Sequence, residues 1–216
     1  MAVEMRILCV MKHLIITLIT LFLCVTQAIA QAEWRRVAAR DGIKVYAKSV
    51  PDSKIKAMKA ECVLDADVDE VVALLMDVKA AERWVCHTKS CRLVKRVSDT
   101  ELFYHTEVSL PWPLDNRDFV THLTVIKQEK SNVVTVEAPA VPGILPLRDG
   151  IVRINNSINR WVIRPLPNGK VRVEYTLQVD PGGHIPAHVV NMFACRAPIE
   201  TFQNMRKELA GRGGDG

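Results

Sequence analysis

The sequence predicts an α+β domain in which a curved antiparallel β-sheet lays one face on a long C-terminal helix, an arrangement that can enclose space or fill it with side chains. Three observations predict it. From Trp34 to Val179, short runs rich in Val, Thr, Leu and aromatics recur between Asp, Asn, Gly and Pro turn signals. One early segment abandons this pattern for a helical period. The last long apolar-patterned segment, Ala187 to about Leu209, is helical and follows "DPGGHIP" (Asp180 to Pro186).

The elements follow in order. Trp34 to Arg40 and Ile43 to Ser49 are strands joined by "DG", a hairpin signal, and Lys56 to Leu64 continues the meander. In "DADVDEVVALLMDV" the apolar residues Val68, Val71, Val72, Leu75 and Met76 form one helical stripe, with Asp67 at the N-cap. Lys79 to Val85 extends this as a short second helix. Strands resume at Ser90 to Val97, Glu101 to Leu110, Phe119 to Gln128 and Asn132 to Ala138. A proline- and glycine-rich loop follows, then Ile151 to Asn155, Ile158 to Pro165, the turn "PNG", and Val171 to Val179. On the last helix Val190, Phe193, Ala194, Ala197, Phe202, Met205 and Leu209 share much of one face, and Pro198 predicts a kink.

Ahead of the domain, Arg6, Lys12 and His13 precede the apolar run Leu14 to Val25, and Ala28-Ile29-Ala30 supplies a small-residue cleavage pattern. This reads as a secretory signal peptide cleaved after Ala30, since the run is short of the roughly 20 apolar residues of a spanning helix. The expected division is therefore 1–30 leader, 31–210 folded domain and 211–216 frayed tail. The expected location is outside the cytoplasm, periplasmic or secreted, and a short leader on a lone domain fits bacterial export.

The 216 residues carry a formal net charge of +5. Removing the leader takes Arg6, Lys12 and Glu4 with it and lowers this by one. A small, dispersed surplus is no nucleic-acid footprint, though it mildly favours an anionic membrane surface. Four cysteines remain: Cys62, Cys86, Cys91 and Cys195. Export permits disulfides, and four cysteines allow three pairings, Cys86–Cys91 with Cys62–Cys195 among them; buried free thiols are the alternative. "CHTKSC" lacks a second ligand pair at zinc spacing, so neither a metal nor another cofactor is expected.

One stretch resists the reading as core. In "PWPLDNRDFV" (Pro111 to Val120) a tryptophan stands between prolines, where no helix or sheet interior can cover it. This run, together with "INRWVIRPLPNGKVRVEYTLQVDPGGHIP" and the helix after it, resembles the START (steroidogenic acute regulatory protein-related lipid transfer) domain, a helix-grip fold, over roughly Ala32 to Leu209. The resemblance implies a tunnel for one lipid or sterol-like molecule, with the C-terminal helix and a neighbouring loop as lid. It implies that Trp112 contacts the membrane transiently, packing under the C-terminal helix as ordinary core being the alternative, and that Arg117 and Asp118 are the family's Arg-Asp pair, with Asp118 read as a structural ion pair or turn device. A second arginine that several relatives carry six residues on is replaced by Leu123, which weakens the case for a phosphate-reading pocket.

The remaining polar candidates for ligand contact are His105, Glu107 and His122; His105 and Glu107 share a strand face by the two-residue period. The expected apolar lining includes Val120, Leu123, Val134, Val136, Trp161, Ile163 and Tyr175, with Val189, Met192 and Phe193 from the helix. Each ligand methylene moved there from water gains about 0.8 kcal/mol. The glycines of "DPGGHIP" suit a hinge for ligand release. The expected function is therefore binding of one lipid or other hydrophobic ligand by a monomer, with transfer between membranes and no covalent chemistry. The alternative is an enzyme on the same scaffold, of the polyketide cyclase/aromatase kind, drawing on Tyr104, His105, Glu107 and His122. No nucleophile elbow, zincin or phosphate-loop motif supports catalysis. A ligand-free interaction module with a filled core is the third reading.

Overall fold

Turn chemistry and strand alternation combine into one sheet in the computed structural model, which describes residues 33–183 and 185–212. The leader read into Met1 to Ala30 and the tail from residue 213 onward lie outside the described residues. The strands are β1 (Arg35–Arg40), β2 (Ile43–Val50), β3 (Ser53–Leu64), β4 (Thr88–Ser98), β5 (Glu101–Val108), β6 (Asn116–Gln128), β7 (Val133–Glu137), β8 (Ile151–Arg153), β9 (Asn156–Leu166) and β10 (Lys170–Asp180). The helices are α1 (Val68–Met76), α2 (Ala81–Trp84) and α3 (Ala187–Arg212). The sheet order is β1-β2-β3-β10-β9-β7-β6-β5-β4, antiparallel throughout, with β8 added in parallel beside β6.

Local sequence explains the joints. Asp41 and Gly42 have φ of 52° and 74°, the left-handed pair that a two-residue hairpin between β1 and β2 requires. Asp67 caps α1 as expected. Its Oδ1 accepts from the Glu70 N–H at 2.8 Å while the Glu70 carboxylate accepts from the Asp67 N–H at 2.8 Å, a reciprocal capping box. The second helix is a single turn, ending at Trp84, and α3 runs through Pro198 two residues into the expected tail. That extension has a cause: Arg212 reaches Asp77 at 2.5 Å and so holds the last turn.

The two halves of α3 differ. Beyond Pro198, Phe202 and Met205 are fully buried against Ile43, Val45, Met58 and Leu64 of the sheet and Val71 and Leu74 of α1. This half is also pinned at its rim. Arg206 Nη1 donates to the Asp41 carbonyl at 2.6 Å, and Arg83 of α2 pairs with Glu208. Before Pro198, Val190, Phe193, Ala194 and Ala197 are only partly buried, because their shared face borders open space; Phe193 meets His87 edge-on at 5.9 Å and Ala194 packs at the margin of the core.

Candidate functional site

That open space is a cavity of about 230 Å³ between the first half of α3 and the concave face of the sheet. Strand register decides what lines it. Tyr175 of β10 pairs with Trp161 of β9, and across β5 and β6 Thr106 pairs with Phe119 and Val108 with Arg117. Paired residues share a face, so Tyr175, Phe119, Val108 and Arg117 all point inward. Val189, Val190, Phe193, Ala194 and Ala197 supply the roof. A deeper chamber of about 110 Å³ shares Val85, Cys86, Val108, Phe119, Asn159 and Tyr175 with the first and adds Trp84, Tyr104, Leu123 and Trp161. Trp161 forms its far wall, stacked on Tyr175 at 4.0 Å and edge-on to Trp84 and Phe202 at 5.8 Å each.

Of the residues expected to contact ligand, Arg117, Leu123, Trp161, Tyr175, Val189 and Phe193 line these chambers. His105, Glu107, Val120 and His122 do not. They occupy the other parity of β5 and β6 and face the convex side, where Phe103 stacks on His122 at 4.3 Å. Met192 is also corrected: it lies off the α3 stripe and is 49% exposed. Val134, Val136 and Ile163 point inward but are packed in solid core. Phe119, Val108, Leu177 and the loop leucines Leu110 and Leu114 were missed. Leu177 shares strand parity with Tyr175 and Phe119 with Leu123, which was the signal available for those two; Val108, Leu110 and Leu114 carried none in the sequence.

The convex face holds a polar network. The chain from Pro139 to Val141 and from Ile151 to Ile154 continues the sheet beside β6, and the segment between, with Leu145, Pro146 and Arg148, is tied to the groups of this face. Asp118 accepts from His105 Nε2 at 2.9 Å and from Arg153 Nε and Nη2 at 2.6 and 3.0 Å, while Arg153 also holds the carbonyls of Leu145 and Pro146. Asp118 is therefore a structural anchor for the loop, and Arg153 keeps its carboxyl below the usual range against the opposing effect of burial. Glu107 is similarly held by Lys89 at 2.7 Å, by Arg148, and by Asn116 at 3.1 Å.

Lys89 foremost, with Arg148 and Asn116, lowers the Glu107 carboxyl from 4.5 to about 2. A depressed carboxylate stabilises the fold above its unfolded pKa, and that stability is lost as pH falls from about 4.5 toward 2. Allowing for screening of the half-exposed Lys89, lowering pH from 6 to 3 is expected to cost about 1–2 kcal/mol through this group. Glu107→Gln should flatten that part of the acid dependence in urea melts; an unchanged pH slope would refute the assignment.

Arg117 is the charged residue that reaches the cavity from β6. It is 3% exposed, and its guanidinium donates to the carbonyls of Asp115, Pro181 and Gly182, the last two at 3.4 Å. It thus ties the sheet to the segment entering α3. Gly182 and Gly183 have φ of 62° and 63°, and a Cβ on Gly183 would meet Arg117 Nη2 at 3.3 Å, so glycine is required here by conformation and by space. On the far side of the helix start, Asn191 bonds the backbone of Lys54 and Lys56 at 3.1 and 3.0 Å. The first half of α3 lies over the hollow and is held there by these polar ties.

Trp112 sits at the tip of the β5–β6 loop, where the Leu114 N–H closes a turn on the Pro111 carbonyl at 3.0 Å. Leu110 and Leu114 turn into the cavity while Trp112 is 92% exposed. The tryptophan is therefore not core. The four cysteines of the domain are free thiols. Cys62 and Cys91 are buried, and burial pushes their thiols up to about 12 and about 11 respectively, so they behave as small apolar groups.

A family model for the START domain matches residues 26–211. The chain belongs to the START family. Among its relatives, an uncharacterised protein of Pseudomonas aeruginosa is 31% identical over 81% of this chain and 85% of its own length. The phosphatidylcholine transfer protein of Bos taurus is 24% identical over 83% of this chain and 85% of its own. The mitochondrial steroidogenic acute regulatory protein of Gallus gallus is 25% identical over 83% of this chain and 66% of its own. A solved fragment of the STAR-related lipid transfer protein from Xanthomonas axonopodis superposes with a TM-score of 0.77 at 35% identity, covering 82% of this chain and 98% of that one. Human StAR-related lipid transfer protein 5 shares the fold, with a TM-score of 0.74 at 20% identity, covering 88% of this chain and 92% of that one. The START architecture accounts for the helix-grip geometry: the sheet curls round α3 and leaves its first half over a hollow.

Proposed function

We propose that this START domain binds one hydrophobic ligand in the cavity under α3 and carries it between membranes, as an exported monomer working in the periplasm or outside the cell. The observation that carries this reading is an apolar hollow roofed by a helix half whose inward face is only partly buried. A cavity lined by Val, Leu, Phe and Tyr stays dry and favours alkyl ligands, and burial of a chain supplies about 0.8 kcal/mol per methylene. Named relatives that are lipid transfer proteins support the ligand class. The exposed Trp112 beside the cavity mouth supports a membrane encounter, since an indole with one polar N–H suits the interface. The leader-like N-terminus supports export. The acid/base groups that an enzyme on this scaffold would draw on do not converge, because His105, Glu107 and His122 face away from the hollow.

Native mass spectrometry of the purified chain, with organic extraction, tests this reading. A discrete added mass that resolves to a lipid is the expected result. A mass unchanged after incubation with vesicles of mixed phospholipid, sterol and fatty acid would overturn it. In vesicle-to-vesicle transfer, Trp112→Ala is expected to slow exchange about tenfold, equivalent to about 1.4 kcal/mol, with the melting temperature unmoved. Equal rates would remove Trp112 from the membrane contact.

A further inference from the structure

The ligand's head group is encoded in the charge of the cavity wall. Among the described lining residues there are two basic side chains, Arg117 and His87, and no carboxylate. In the main cavity the neutral polar groups of the wall are engaged, whereas in the deeper chamber Trp84 Nε1 and Thr88 Oγ1 have no partner among the described residues. Tyr175 donates its hydroxyl to Asn159 at 2.8 Å, Asn159 donates to Ser157 Oγ at 3.2 Å, Ser157 Oγ also accepts from the Ala140 N–H at 3.1 Å, and Thr201 Oγ1 accepts from the Cys86 N–H at 3.1 Å.

Arg117 is different. Its described partners are three backbone carbonyls, and those of Pro181 and Gly182 sit at 3.4 Å, the outer limit of a hydrogen bond. Asp115 is exposed and near enough to favour the cation, yet burial dominates and pulls the guanidinium below its usual value. The next residue shows the contrast: Asp118 points to the opposite face and takes a two-point ion pair from Arg153. A buried cation whose partners are all neutral carbonyls, two of them long and one, that of Asp115, close, lacks a direct counterion, and an anion with two oxygens in a plane supplies one best.

We infer that the cavity's ligand is an anionic amphiphile, an apolar chain ending in a carboxylate or a phosphate ester, with that anion held by the Arg117 guanidinium. This rests on the cavity being the ligand site. The head then lies at the mouth, under Pro181 and Gly182, and the chain runs inward past Phe119 and Tyr175 toward Trp161. A neutral lipid of the same shape leaves the guanidinium unpaired and is discriminated against for that reason. Arg117 is thereby a specificity-determining residue, and its grip on the segment entering α3 is exchanged for a grip on the ligand.

The test compares oleate, oleoyl lysophosphatidate and oleyl alcohol, which share one chain, in titrations of the full chain below their micelle concentrations. The expected result is that at least one anion binds tenfold or more tightly than the alcohol. Tighter lysophosphatidate identifies a phosphate head and tighter oleate a carboxylate. In Arg117→Gln the anion-to-alcohol ratio should fall toward one, and Arg117→Lys should restore part of it. Should Arg117→Gln fail to fold, the ratio for the unaltered protein still decides. Alcohol binding equal to or tighter than both anions overturns the inference while leaving the cavity reading intact. Binding of none of the three overturns both.

Discussion

Asp118→Asn is expected to destabilise the domain by about 3–5 kcal/mol, the range for removing one partner of a buried ion pair. Asp118 is buried, and its two oxygens accept from Arg153 at 2.6 and 3.0 Å and from His105 at 2.9 Å. Asparagine keeps the shape but removes the charge, and its amide nitrogen meets a donor where an acceptor is needed. Arg153 is then left buried beside the carbonyls of Leu145 and Pro146 without a counterion. The loss spreads, because β8 pairs with β6 at Arg153 and Asp118 and the Ile154 N–H bonds the Asp118 carbonyl at 2.8 Å. The loop over the convex face should loosen together with that strand. Urea denaturation measures the effect, with Asp65→Asn at an exposed ion pair as a control expected to change stability by less than about 1 kcal/mol. An Asp118→Asn change as small as the control would show that the network contributes no net stability.

Ala194→Phe is expected to abolish ligand uptake while leaving the domain folded. Ala194 lies on the roof of the cavity in the half of α3 that faces space, so an added ring enters the hollow and not a packed core. The burial it gains offsets the loss of helix propensity, and the melting temperature should hold or rise. The same ring displaces ligand. Excluding four methylenes forfeits about 3 kcal/mol, a factor above one hundred in affinity. The measurement is extraction and mass analysis of bound lipid in the variant beside a thermal melt. Normal lipid loading in a stable variant would place the ligand elsewhere; a collapsed melt would mean that the roof is packed, and the cavity reading would fall with it.

Much of this chain was legible before folding was considered. The Asp67 cap, the left-handed Asp41-Gly42 turn, the α1 stripe and the order of strands all stand where local chemistry put them. The proline-flanked Trp112 declared itself exposed, since the residues beside it could build neither helix nor sheet interior. The site was read less well, and β5 shows why. Alternation told that His105 and Glu107 share a face, but Leu102, His105, Thr106 and Glu107 are all buried, so alternation carries no sign of which face is inside. The convex side of most half-buried sheets is wet; here the loop between β7 and β8 and the start of β8 pair its charges through Arg148 and Arg153.

The sequence by itself determined the elements, their turns and the existence of an amphipathic helix long enough to span the sheet, because each depends on contacts within a few residues. Only the tertiary structure decided that Arg117 faces the hollow while Asp118 faces the loop. It also decided that the first half of α3 roofs a cavity while the second half fills a core. Those outcomes turn on strand register and on one distant segment folding over β6, and a one-residue shift of register exchanges the two faces without changing a single local preference.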